Sequence, residues 1–338
     1  MRICLLGEFS GNLDEAMRKS SFYVARELSK RNRVLPLDLR RAFYRNFWIS
    51  VKKFRPQVIH YLHGPTLRSF ILLKMITLYT RCNAKTVMFA LRPEISDLDK
   101  RIISTFKPDI MLAQSYTTEK MFRRIGFRTK FLPVGIDIEK FKPVSEGTKR
   151  ELRRKYGLDE DKFIILHIGS IKRGRNIQIF KKLQNKSNQV LIVGPPSTGI
   201  NQEVYRNLVE SGCLVWVKYI KDIEEIYALS DCYVYPTVDK YNLLGKAIAD
   251  SIETPLSVLE AMSCNLPVIT TRFGALPRIF EEGDGLIFVE NDNDIFKAVE
   301  DVKNGIRVRT RRKVLPYSWE SIVRRLEKIY LELIEEEN

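Results

Sequence analysis

Short apolar runs alternate with longer amphipathic segments along this chain, and the alternation occurs twice. The runs at 3–6, 34–37, 58–62, 86–90, 110–113 and 130–132 read as strands. Residues 14–30 read as a helix whose Phe22, Val24, Ala25 and Leu28 suit one face. Around 142–147 the pattern breaks into Lys-Pro-Val-Ser-Glu-Gly, a linker candidate. A second series follows at 163–168, 189–193, 213–217, 232–234, 268–270 and 285–289, and a last helix runs from Trp319 to Glu336. Strands separated by helices imply parallel sheets covered on both faces. The expected fold class is α/β: two Rossmann-like, doubly wound parallel-sheet domains at 1–145 and 146–318. The helix at 319–338 is expected to pack back on the first domain. A length of 338 residues suits two domains. Ligands of open α/β sheets lie at the carboxyl ends of strands, so an interdomain cleft is the expected site.

Charge divides the chain. The formal net charge is +16. Residues 1–150 carry +17 of it and the remainder −1. From Leu39 to Pro93 there is no acid, against eleven basic residues. The first half is therefore expected to meet something negative. Read as a helix, 39–55 puts Phe43, Phe47, Val51 and Phe54 on one stripe. Arg40, Arg41, Arg45, Lys52, Lys53 and Arg55 surround it, with Tyr44 and Trp48 alongside. Two readings stay open. Arg41, Arg45, Trp48, Lys52 and Lys53 lie on an anionic membrane surface, or the stripe packs a core beneath solvated bases. No nucleic-acid motif accompanies the charge.

The apolar stretch from Phe70 to Tyr79 is broken by Lys74 and is too short to span a bilayer. The first residues do not read as a signal peptide. Cys4, Cys82, Cys213, Cys232 and Cys264 are scattered and read as free thiols of a reducing cytoplasm. The three histidines, His60, His63 and His167, lack zinc-ligand spacing. No metal and no cofactor is expected.

The segment 252–271 carries the most chemistry. Thr254 suits an N-cap and Pro255 a first helical position, while Asn265 and Pro267 end the helix. Free amides near Leu256 and Ser257 would then make an anion site. Glu260 stands mid-helix among Val258, Leu259, Ala261 and Met262. A carboxylate there needs a partner: a pair of sugar hydroxyls, or a salt bridge of an ordinary core helix.

This stretch resembles the signature of the retaining glycosyltransferases of family four, which have the GT-B fold. That family places one Glu after a strand and a second eight residues later, within Leu-Glu-Ala-Met and before Pro-Val-Ile. Glu260 matches the second, which in the family holds the ribose hydroxyls of the nucleotide. The first, which contacts the donor sugar, falls on Ile252, with Glu253 one residue late. Residues 131–143 resemble the segment that closes the first domain. Residues 166–174 resemble the strand and loop that supply a basic pair to the diphosphate, with Ser170 where Arg is usual and Arg173 matching the second base.

By this resemblance Lys172, Arg173 and Glu253 are the catalytic candidates. Gly7, Gly11, Gly169, Ser170, Arg175, Gly194, Tyr219, Ile220, Pro255, Leu256, Ser257 and Glu260 are the donor-binding ones. On the acceptor side, His60 matches a common family position, and a core role fits it equally; His63 and Arg92 lie nearby. Residues 238–252 form an insertion relative to the family, expected as a specificity loop, a lid or a plain surface loop.

The resemblance implies a metal-independent, retaining transfer of a sugar from a UDP- or GDP-type donor to a glycan or lipid-linked acceptor. It places the enzyme in the cytoplasm, peripheral on the inner face of the cell membrane. Two alternatives are carried: a nucleotide-sugar epimerase on the same fold, and a non-catalytic relative that binds membrane or nucleic acid.

Overall fold

The computed structural model describes residues 1–13, 15–93, 95–238 and 251–336. Most of the insertion expected at 238–252 lies outside the described residues. The chain folds into two compact units. One holds residues 1–135, 251–254 and 319–336, and the other holds 136–238 and 255–318.

In the first unit the described strands are β1 (Arg2–Gly7), β2 (Arg33–Asp38), β3 (Val58–Tyr61), β4 (Lys85–Phe89), β5 (Ile110–Ala113) and β6 (Thr129–Phe131). They form a parallel sheet in the order β2-β1-β3-β4-β5-β6. The helices between them are α1 (Ala16–Ser29), α2 (Arg45–Phe54), α3 (Leu67–Thr80), α4 (Asp97–Ile103) and α5 (Tyr116–Arg124). Ile3, Leu5 and Leu6 of β1 are fully buried, as are Ile110, Met111 and Leu112 of β5. Central strands covered on both faces read as continuous apolar runs, which is why they are visible in the sequence.

Two helical faces differ from expectation. In α1 the buried residues are Arg18, Ser20, Ser21, Tyr23, Val24, Glu27 and Leu28, and Phe22 stands outside them, 42% exposed. In α2 the aromatic stripe faces inward: Phe47 and Val51 are buried among Ile59, Phe70 and Leu73. Phe43 precedes the helix and is 98% exposed. The core thus takes the stripe that suited a membrane. Arg41, Arg45, Lys52 and Lys53 remain exposed, and half-buried Trp48 donates its Nε1 hydrogen to the Ala42 carbonyl at 2.8 Å.

The second unit contains β7 (Phe163–Ile168), β8 (Asn188–Gly194), β9 (Leu214–Val217), β10 (Cys232–Tyr235), β11 (Val268–Thr271) and β12 (Leu286–Val289). Their order is β12-β11-β10-β7-β8-β9, again parallel. Its helices are α6 (Glu146–Lys155), α7 (Phe180–Leu183), α8 (Gln202–Glu210), α9 (Ile223–Ala228), α10 (Leu256–Ser263), α11 (Leu276–Ile279), α12 (Asp292–Lys303) and α13 (Thr310–Val314). Asp231 ties α6 to this sheet: it accepts from Lys149 and Arg153, both at 2.6 Å, and from the Ile164 amide.

A final helix, α14 (Trp319–Glu335), belongs to the first unit and packs on α1. Trp319 stacks on Tyr23 with ring centroids 5.4 Å apart. Gly135 makes room for it, because a Cβ there would lie 2.5 Å from the indole.

Each sheet reverses its winding once. The switch falls between β1 and β3 in the first unit and between β7 and β10 in the second. Such points leave a crevice at the carboxyl ends of the two strands.

Candidate functional site

In the second unit the crevice is built by the loop after β7 and the start of α10. Tyr233 of β10 connects them: its hydroxyl donates to the Ile168 carbonyl at 3.2 Å and shares a hydrogen bond with Ser257. Helix α10 begins one residue later than its sequence suggests. Pro255 is the N-cap and Leu256 the first helical residue. Thr254 caps nothing; its hydroxyl donates to Gln114 at 2.6 Å. The amides of Leu256 and Ser257 belong to the first turn, where no intrahelical acceptor exists. Free amides of this kind favour negative charge at a helix N-terminus.

One turn further in, Glu260 is 3% exposed and accepts a 2.7 Å hydrogen bond from the Tyr227 hydroxyl of α9. Burial holds the Tyr227 hydroxyl protonated far beyond its ordinary range, and the adjacent Glu260 charge adds to this. Tyr227 therefore acts as a permanent donor. Its bond fixes the plane of a carboxylate that has almost no water to orient it.

The loop after β7 presents the cations. Gly169 continues the strand pairing, its amide bonding to the Val193 carbonyl at 3.0 Å. A side chain there would crowd His167, whose Nε2 lies 3.0 Å from the site of a Cβ. Buried Ser170 and half-buried Lys172 follow, then a 3-10 turn over Arg173–Arg175. The turn separates its two arginines. Arg173 is exposed and paired with Glu203 of α8, whereas Arg175 is 7% exposed.

The buried guanidinium of Arg175 acts on His167. Burial lowers the His167 pKa to about 4, and the Arg175 charge contributes to the lowering. Neutral His167 bonds through Nδ1 to the Val234 carbonyl at 2.9 Å, which joins β7 to β10 at the switch point. Gly194 ends β8 beside this loop and leaves space for Ile171. Tyr219 and Ile220 follow the edge strand β9, two strands from β7, in the segment that leads into α9.

The first unit has its own polar cluster at the β1–β3 switch. Gly7 ends β1, and a Cβ there would meet the Ser21 hydroxyl at 2.6 Å. Ser21 lies 2.7 Å from His63 Nε2, and Glu8 Oε1 lies 4.0 Å from His63 Nδ1. Burial lowers the His63 pKa to about 4, with the nearby Arg92 charge as a further lowering influence. Gly11, at φ +101°, closes the loop against Arg18, and Arg18 bonds to the Asn12 carbonyl and to Glu15.

His60 lies within β3 itself. It is fully buried, and its Nδ1 stands 2.6 Å from the Tyr330 hydroxyl of α14. It packs as a core residue of the first unit, paired across from Leu5 of β1.

Glu253 is also held within the first unit. Its carboxylate accepts from the Ser115 amide at 3.2 Å, from the Ser115 hydroxyl at 2.7 Å and from the Thr118 hydroxyl. Its own amide donates to the Leu91 carbonyl at 3.0 Å. Ser115 is the N-cap of α5, so Glu253 serves as the anion of that helix terminus.

The structure thus gathers Gly169, Ser170, Lys172, Arg175, Pro255, Leu256, Ser257 and Glu260 around one switch point. Gly7, Gly11, His63 and Arg92 gather around the other. The partners that sequence reasoning missed are Tyr227, Tyr233, His167, Glu8 and Ser21. Glu8 adjoins Gly7, and His167 lies two residues before Gly169. Tyr227, Tyr233 and Ser21 carry no local signal. Among the described residues no cluster of His, Cys, Asp and Glu could hold a metal ion, and no helix is long and apolar enough to cross a membrane.

Residues 162–304, which include β7 through β12, match the family described as glycosyl transferases group 1. D-inositol 3-phosphate glycosyltransferase of Geodermatophilus obscurus is 24% identical over 260 residues, covering 72% of this chain and 54% of that protein. N-acetyl-alpha-D-glucosaminyl L-malate synthase of Bacillus anthracis is 27% identical over 141 residues, or 40% of this chain and 34% of that one. The chain spans well under two thirds of the length of these relatives. Among solved structures, Anabaena HepE in complex with UDP and glucose superposes with a TM-score of 0.74 at 14% identity, covering 98% of this chain and all of that one. The fold is therefore GT-B.

Proposed function

With residues 162–304 carrying the glycosyl transferases group 1 family and the chain folded as a GT-B protein, we propose that it is a metal-independent, retaining glycosyltransferase. It moves a sugar from a nucleoside diphosphate sugar to a glycan or lipid-linked acceptor. The observation that carries this reading is the second unit's switch point. There Tyr233 joins the end of β7 to the first turn of α10; that helix carries the buried, oriented carboxylate of Glu260, and the loop after β7 carries the buried guanidinium of Arg175. The HepE complex with UDP and glucose supports a UDP-type donor.

The chemistry follows from what each group offers. Glu260, held by Tyr227, accepts hydrogen bonds from the two hydroxyls of the ribose. The amides at Leu256 and Ser257 and the cations Lys172 and Arg175 meet the diphosphate. As the glycosidic bond breaks, charge grows on the leaving phosphate oxygen, and preorganised donors stabilise that charge more than they stabilise the ground state. In a front-face displacement the same oxygen takes the proton from the acceptor hydroxyl, so retention needs no protein nucleophile. His63, neutral and ordered by Ser21, is the first unit's candidate to bind an acceptor hydroxyl. Arg173 contributes charge from the rim.

Thermal denaturation with UDP, GDP, UDP-glucose and GDP-sugars tests the donor site. A nucleotide at a hundredfold excess over its Kd stabilises the fold by about 2.7 kcal/mol. The matching nucleotide should raise the Tm of the wild type and not of Glu260→Ala. Absence of a shift with every nucleotide refutes the donor site. Full transfer activity in Glu260→Ala refutes the ribose assignment.

A further inference from the structure

We propose that the outer face of α3, with the adjoining edge of α2, docks the first unit onto an anionic lipid bilayer. This bears on where an acceptor is met. It does not depend on the donor chemistry, and its test contains no donor.

Helix α3 is apolar on two sides. Its inner side, Phe70, Leu73 and Ile76, is buried in the core of the first unit. A helix that covers only one side normally has a polar outer side. Here the outer side carries Ile71, Met75 and Leu78 in one row, with Met75 51% and Leu78 65% exposed. Tyr79 adjoins the row at 39% exposed, and exposed Arg68, Lys74 and Arg81 flank it.

Helix α2 extends this face. Trp48 meets the Tyr79 ring edge-on at 5.4 Å, and Lys52 Nζ stands 5.2 Å from the Tyr79 ring centre. Tyr44, 66% exposed, is the N-cap one turn before Trp48. Apolar side chains among aromatic rings and basic heads are what an acyl–headgroup boundary accommodates.

Charge selects the occupant. Every charged residue from Leu39 to Pro93 is basic, and there are eleven. A second copy seated on this face would bring cation against cation. An anionic bilayer offers opposite charge to the bases and hydrocarbon to Met75 and Leu78.

The test is flotation of the full chain with vesicles of phosphatidylcholine, alone or mixed with phosphatidylglycerol, at low and high salt. Binding is expected to the mixed vesicles, reduced by salt. Arg68→Gln/Lys74→Gln/Arg81→Gln should lower the partition coefficient about a hundredfold. Met75→Ser/Leu78→Ser should lower it by at least about tenfold. Both variants should keep the wild-type Tm, since they change exposed positions. No flotation of the wild type at low salt overturns the proposal. So does binding that neither variant weakens, or a dimer dispersed by Met75→Ser/Leu78→Ser without lipid binding.

Discussion

The Tyr227 hydroxyl donates a 2.7 Å hydrogen bond to Oε2 of Glu260, and both side chains are almost wholly buried. The proton on Tyr227 is not exchangeable for function, because burial beside a carboxylate keeps it in place across the physiological range. The pair is therefore a rigid acceptor for hydroxyl groups. Tyr227→Phe should weaken donor binding by about tenfold, the loss expected for one hydrogen bond to a charged group. The effect should fall on donor KM more than on kcat. Calorimetric titration of UDP checks it, and wild-type affinity would remove Tyr227 from the site.

The two arginines of the loop after β7 should differ sharply. Arg175 is buried and Arg173 is exposed and paired with Glu203. A fixed cation screened from water stabilises a leaving diphosphate more strongly than a solvated one. Arg175→Gln should cost about a hundredfold or more in kcat/KM. Arg173→Gln should cost only a few-fold. Steady-state kinetics on the pair decides, and the reverse ranking would return the role to Arg173.

Glu253 gives a stability prediction. Its carboxylate takes three donors at the N-terminal end of α5. Glu253→Gln loses the charge that suits a helix N-terminus and sets an amide donor against either the two hydroxyls or the Ser115 N–H. A loss of about 1–3 kcal/mol is expected, read as a lower Tm. An unchanged Tm with lost activity would place the residue in chemistry instead of in the fold.

Acid should destabilise the protein, and the sign follows from the buried histidines. Burial lowers His63 and His167 from 6.5 to about 4, and His60 from 6.5 to about 3. Between those values the unfolded chain binds protons that the folded chain refuses. Stability is then complete above about 6.5 and is lost as pH falls through the window toward 4. Tm measured across that range should fall, and His63→Asn should flatten the slope. A Tm independent of pH across the window contradicts the burial of these rings.

The two parallel sheets were legible because strands buried on both faces leave unbroken apolar runs, as β1 and β5 do. Glu260 was legible for a related reason: a carboxylate among Val258, Leu259, Ala261 and Met262 demands a partner. The partner was not, since Tyr227 lies 33 residues upstream and only the sheet order brings α9 to α10. The anchorage of Glu253 on Ser115 spans 138 residues and leaves no local trace. The α2 stripe left two readings open for another reason. Periodicity shows that a helix has an apolar side but does not say whether protein or lipid covers it, and the core took Phe47 and Val51. Which arginine of residues 173–175 is buried depends on a 3-10 turn, and residue type does not specify that turn.

Helix α14 has a consequence for synthesis. Trp319 stacks on Tyr23, Tyr330 bonds to His60, and Glu327 pairs with Arg31. A ribosome works from the amino end, so β1 to β6 emerge long before the residues that cover them. The first unit stays unfinished while the whole second unit is being translated. Its nascent sheet and α1 must wait with His60 and Tyr23 uncovered, the period in which a chaperone would have the most to shield.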